Sequence, residues 1–224
     1  SLVAMVHCNN CTSDLNAWVN LFKEYQELLG IPVDMNEVYG KLYNNALKGN
    51  PDCGGLISYN YISGEPVTGL AEGRPLFVRS ANDKFNLANF MRAHLYASVG
   101  VLKIGNDILF NEEKIKVDRI TGHGGLFKTK GVGQRVLAAA INSPISVMET
   151  AGEGGAWGIA LLASYLVNNA NGLNLADYLD KVVFAGDAGV EIAPTQEDVD
   201  GFNAYIENYK AGLAIEEAAV KAKK

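Results

Sequence analysis

The sequence predicts an α/β fold, and the pattern that predicts it most directly occurs twice. An alternating apolar run (Ile115, Val117, Ile120) leads through Gly122-His123-Gly124-Gly125 into a helical segment, Lys130 to Ile141. The run Ile145 to Met148 leads through Gly152-Glu153-Gly154-Gly155 into a second helical segment, Ile159 to Val167. Strand, glycine loop and helix in succession read as a βαβα unit, which gathers helix starts at one end of a sheet, where α/β folds place ligands. With 224 residues and a hydrophobic content of 48%, the chain can bury a substantial core, and it reads as one domain over 1–224.

The other elements follow from periodicity and punctuation. Ser1 to Val6 is strand-like. Thr12, Ser13 or Asp14 can cap a helix running to Leu29, with Leu15, Trp18, Val19, Phe22 and Tyr25 on one stripe; Gly30 and Pro32 stop it. A second helix is expected from Asp34 to Leu47, ended by Gly49-Asn50-Pro51. Leu56 to Tyr61 reads as a strand and Ser63 to Pro75 as a long loop. The segment from Asn86 to Asn111 is the longest helix candidate and the expected buried centre of the fold. Val190 to Ile192 is a short strand candidate. Pro194-Thr195 through Asp198 forms a capping pattern for a helix from Gln196 to Tyr209, and the charged tail from Leu213 reads as a solvated helix end.

Composition narrows the partners. The net charge of −6 and the lack of any basic run argue against nucleic acid, while leaving room for a locally positive phosphate site. No apolar stretch approaches the roughly twenty residues of a membrane span, and the first residues lack the pattern of a secretion signal. A cytoplasmic protein is expected. Because the chain opens without Met inside a strand-like run, it also reads as a piece of something larger.

Gly122 to Thr129 is the leading site candidate. Glycines at a strand-to-helix junction let backbone approach a ligand closely and aim amides at it, although a tight turn alone can require them. Gly122, Lys128 and Thr129 have the spacing of a phosphate-binding P-loop, but Phe127 stands where that motif needs its second glycine, so the P-loop is rejected and Lys128 is kept as a phosphate contact. Gly152-x-Gly154 only loosely echoes a dinucleotide fingerprint. His94, on an apolar helix, reads as a packing residue and His123, in the glycine loop, as the better functional histidine. Cys8-x-x-Cys11 at a helix start permits a thioredoxin-like redox reading, set against the plainer one of small residues in a packed turn. No second ligand pair supports zinc.

These segments resemble a known family. From Gly122 to Leu166 the chain is similar to the C-terminal half of the FGGY carbohydrate kinases: a Gly-Gly loop, a Gln-bearing helix, a short Pro-containing strand, a Glu, and a Gly-Ala helix. Cys11 to Trp18 resembles the family helix that ends in Trp, and Arg92-Ala-His-Leu95 its Arg-Ala-x-Leu helix. Tyr96 departs from the acidic residue usual after that Leu. The likeness is greatest to the xylulokinase and ribulokinase branch.

The resemblance implies an actin-like ATPase (ribonuclease H-like) domain, a mixed sheet flanked by helices, forming the C-terminal half of a two-domain kinase. It implies ATP with Mg, a ketose substrate such as xylulose, and the chain's own N-terminal domain as partner, with that domain supplying the catalytic Asp and the metal site. A homodimer is one open arrangement. By the same carry-over, Gly124 and Gly125 approach ribose and α-phosphate, Leu126, Lys128 and Thr129 follow in the loop, and Ser13 and Asn16 line the opposite wall. Glu153 orients the second loop. The competing readings are an actin-like nucleotide-binding domain without sugar kinase activity and, less favoured, a thioredoxin-like redox domain.

Overall fold

The computed structural model describes residues 4–148, 152, 154–169, 171–185 and 189–222. Two sheets organise it. β1 (Ile57–Tyr59) and β2 (Leu76–Val78) form an antiparallel pair with Ser58 opposite Phe77. β3 (Ile120–Thr121), β4 (Ile145–Val147) and β5 (Val190–Ile192) form a mixed sheet in that order. β3 runs parallel to β4 with Ile120 opposite Ile145, and β5 runs antiparallel to β4 with Ile192 opposite Ile145. A parallel pair needs a crossover connection. Here it is α4 (Val132–Ile141).

Local chemistry accounts for the helices. α1 (Ser13–Leu28) carries the expected apolar stripe, with Leu15 and Val19 buried. Thr12 precedes α1, but its side chain makes no capping bond. α2 (Met35–Ala46) is capped by Asp34, which accepts from the Asn36 amide. α3 (Leu87–Asp107) is capped by Asn86, which accepts from the Asn89 amide, and it is the buried centre of the molecule. It packs against α1, α2, α4 and β1. α5 (Gly154–Asn168) and the short α6 (Leu175–Tyr178) follow β4. α7 (Gln196–Ala211) is capped by Thr195 and lies against α4 and β1. α8 (Leu213–Ala222) ends the described chain. Leu15, Tyr59, Met91, Leu95, Ile145, Phe202, Tyr205 and Tyr209 together make one continuous core.

Several expectations shift. Residues 4–8 form no strand; Val6 instead packs on Gly105 of α3, where a Cβ would collide with it. The expected strand around Ile115 shrinks to Ile120–Thr121. α3 widens into a π-type turn at Ile108–Glu112, and the Ile115 amide is spent closing it on the Leu109 carbonyl, at 3.0 Å. The tail is helical but not wholly solvated, since Glu216 is fully buried and accepts from the Arg74 amide. α5 begins at Gly154, five residues before the expected apolar stretch, and exposes Ile159, Leu162, Leu166 and Val167. β2 and α6 have too few residues to show a period.

Candidate functional site

The β3–α4 loop is shaped by its glycines. The Gly122 amide donates to the Ser146 carbonyl at 2.8 Å, prolonging the β3–β4 ladder. A Cβ at Gly122 would stand 2.5 Å from the Phe127 ring, so glycine there lets Phe127 fold back into the loop. The residue that stands where a P-loop needs its second glycine thus carries a ring that packs against Gly122. Gly124 has φ +107° and ψ −178°, a conformation open essentially to glycine alone. Gly125 begins a short 3-10 turn through Phe127 and has no left-handed backbone, so the conformational demand falls on Gly124. A side chain at either position would meet open space, which leaves this backbone accessible to a ligand.

The loop faces a cleft of about 620 Å³. Gly125, Leu126, Lys128, Thr129 and Lys130 line one side; Thr12 and Asn16 of the α1 start, with Asn36, Tyr39 and Tyr43 of α2, line the other. Among the described residues two lysines and no carboxylate line it, although the chain as a whole carries a charge of −6. A cleft edged by one sign of charge concentrates counter-charged ligands. The Tyr39 hydroxyl donates to Asn16 Oδ1 at 2.9 Å, and the Tyr39 and Tyr43 rings meet edge to face at 5.5 Å. Burial pushes both phenols above their ordinary pKa, so both stay protonated donors at neutral pH.

The structure thus brings Asn16, Gly125, Leu126, Lys128 and Thr129 to one cleft, with Gly124 beside them in the loop. Ser13 is exposed on the first turn of α1, and Thr12 stands in the lining in its place. Glu153 lies outside the described residues. Gly152 of the second glycine loop packs on Lys128, so the two glycine loops meet at this corner. Sequence reasoning missed the α2 wall; its signal was there as Asn36, Tyr39, Gly40, Tyr43 and Asn44 at helical spacing, a face too polar for core.

The remaining candidates divide by burial. His123 is exposed in the loop and does not line the cleft. His94 is buried among Trp18, Phe77 and Phe90, with Nδ1 2.9 Å from the Ser58 hydroxyl. Asp14 Oδ2 lies 3.7 Å from that nitrogen, yet burial holds the imidazole neutral, with its pKa lowered to about 3. Burial also pushes the Cys8 thiol up to about 11 and raises Cys11, the reverse of what a redox-active thiolate needs.

A profile of the FGGY family of carbohydrate kinases, C-terminal domain, matches residues 1–167. The chain belongs to the FGGY family of carbohydrate kinases. Solved structures agree on the fold. The xylulose kinase of Rhodospirillum rubrum superposes with a TM-score of 0.65 at 17% identity, over 93% of this chain and 38% of that one. The ligand-bound xylulose kinase of Lactobacillus acidophilus gives 0.60 at 21% identity, over 79% and 35%. Glycerol kinase of Plasmodium falciparum with ADP gives 0.59 at 16% identity, over 88% and 37%. No curated protein matches the chain. The fold is therefore the actin-like ATPase fold of FGGY kinases, and the chain spans 38% or less of the length of these relatives.

Within this FGGY domain Tyr96 also finds its place. Arg92 donates to the Tyr96 hydroxyl from Nε and Nη2, at 3.0 and 2.8 Å, and to Asp198 Oδ1 at 2.6 Å. Arg92 thus finds its carboxylate at the start of α7 and uses the Tyr96 hydroxyl as a further acceptor.

Proposed function

We propose that this FGGY domain is the nucleotide-binding half of an ATP-dependent sugar kinase, acting on a ketose such as xylulose. The observation that carries the reading is the cleft itself: an open glycine backbone at Gly124 and Gly125, opposite Asn16 and Tyr39, with Lys128 and Lys130 in its lining. Exposed backbone and positive charge suit the ribose and phosphates of ATP. Ser13 remains a proposed contact beside this site, and Glu153, outside the described residues, keeps its proposed role of orienting the second loop.

In the proposed reaction a sugar hydroxyl attacks the γ-phosphorus, an O–P bond forms as the bond to the β-phosphate oxygen breaks, and ADP leaves. A carboxylate base takes the hydroxyl proton. Magnesium bound to the phosphates would offset the charge on them. Among the described residues no group of three or more His, Cys, Asp or Glu could hold a metal ion, and no metal ligand is assigned to this cleft. The base, the metal ligands and the sugar contacts are assigned to the N-terminal domain. Among the described residues no helix is long and apolar enough to cross a membrane, in keeping with a proposed cytoplasmic setting.

Calorimetry with Mg-ATP and a coupled assay for ADP release, run over several ketoses on this chain and on the two-domain protein, test the proposal. The chain alone should bind nucleotide weakly and phosphorylate nothing, because half a cleft leaves the ligand solvated on one side. Sugar-dependent ADP release by the chain itself would overturn the division of labour. Nucleotide binding without sugar-dependent turnover in the two-domain protein would favour an actin-like domain that is not a kinase.

A further inference from the structure

We infer that Tyr39 fixes the polarity of Asn16, so that the cleft presents the Asn16 amide group, rather than its carbonyl, to an acceptor atom of the nucleotide. This rests on the nucleotide-binding reading above. An asparagine side chain has an acceptor end and a donor end of nearly equal shape, and a ligand meets whichever end the protein leaves free. Here the acceptor end is taken, since the Tyr39 hydroxyl donates to Asn16 Oδ1 at 2.9 Å from a different helix. The donor is well placed. Tyr39 is half-buried and its ring abuts the edge of Tyr43, which is itself buried in the core.

Asn16 Nδ2 then carries two N–H donors for which no acceptor is found among the described residues, and both Asn16 and Tyr39 line the cleft. Lys130 across the cleft is a donor as well. A ligand that matches this wall offers acceptors, which a nucleotide has in its base nitrogens, ribose oxygens and phosphate oxygens. Tyr39 acts through Asn16 and is a positioning residue. It donates from its hydroxyl only while protonated, and burial holds it in that form.

The test follows the side-chain amide of Asn16 by 15N NMR during a titration of this chain with MgADP, a method suited to weak binding. The Asn16 amide pair should shift together with the Gly125 and Leu126 backbone amides. Adenosine alone moving the pair places the acceptor on the nucleoside, and movement only with MgADP or pyrophosphate places it on the phosphates. Tyr39→Phe keeps the ring and removes the donor, and should weaken MgADP binding about fivefold. In an Asn16→Ala background the same change should have no further effect. If Y39F unfolds the chain, Asn16→Asp, which replaces the donor amide by acceptors at equal size, should weaken binding more than about fivefold.

The inference is overturned if Gly125 and Leu126 respond while Asn16 does not, if Y39F binds like the parent, or if its loss persists without Asn16. No response from any cleft residue would instead remove the nucleotide reading, and this inference with it.

Discussion

Arg92 and Asp198 stand 106 residues apart in the chain and meet at 2.6 Å inside the molecule, with both side chains almost wholly removed from solvent. The pair joins the central α3 to the first turn of α7. Asp198 spends its other oxygen on Arg135 Nε at 2.6 Å and the Thr195 hydroxyl at 2.8 Å. Burial would raise the Asp198 pKa, but these bonds from Arg135, Thr195 and Arg92 hold it below the usual carboxylate value.

Asp198→Asn should destabilise the chain by about 3 kcal/mol, because it leaves the Arg92 guanidinium buried without its counter-charge. Tyr96→Phe removes only a hydroxyl acceptor and should cost about 1 kcal/mol. Urea denaturation of both variants tests the order; a larger loss for Y96F would contradict it.

His94 gives stability a pH dependence with a definite sign. Its folded-state pKa of about 3 lies far below the ordinary 6.5, because burial disfavours the imidazolium. As pH falls through 6.5, the unfolded chain takes up a proton and the folded chain does not. The contribution is therefore complete above pH 6.5 and is lost as pH falls toward 3, at up to about 1.4 kcal/mol per pH unit. Denaturation midpoints measured from pH 7.5 to 4.5 should show this slope, and His94→Gln should flatten it. An unchanged slope in H94Q would assign the effect elsewhere.

The two loop glycines should behave differently. Gly124→Ala puts a Cβ on backbone at φ +107°, and should cost about 1–3 kcal/mol of stability. Gly125→Ala meets neither strain nor a neighbour, so it should unfold at nearly the parent temperature while weakening MgADP binding. Thermal unfolding and calorimetry on both variants separate the effects. Equal loss of stability in the two would count against the backbone assignment.

The Cys8 and Cys11 thiols should behave as ordinary or sluggish nucleophiles. With Cys8 raised to about 11 and Cys11 raised as well, the rate of alkylation by iodoacetamide should climb with pH beyond 8.5 rather than level off near neutrality. Replacing both by Ser should leave the proposed two-domain kinase within a few fold of its parent activity. A rate plateau below pH 8 would revive a redox role.

Much of this domain was legible from local pattern. Asn86 and Thr195 announced the starts of α3 and α7, and each side chain does accept from the amide three residues on. The glycine loop stood between a strand and a helix as its spacing implied. The strand expected around Ile115 failed because alternation shows which residues could face a core, not whether a neighbouring strand exists for them to pair with.

Periodicity, caps and glycine positions are properties of neighbouring residues, so the sequence alone determined the order of helices, the strand–loop–helix unit and the family to which they belong. Contacts across long separations are not encoded that way. Only the tertiary structure decided that α2 forms the far wall of the cleft, that Gly124 rather than Gly125 carries the strained backbone, and that Tyr39 reaches Asn16. It also decided that the acid for Arg92 comes from Asp198, because a buried charge takes its partner from whichever element packing brings within hydrogen-bond reach.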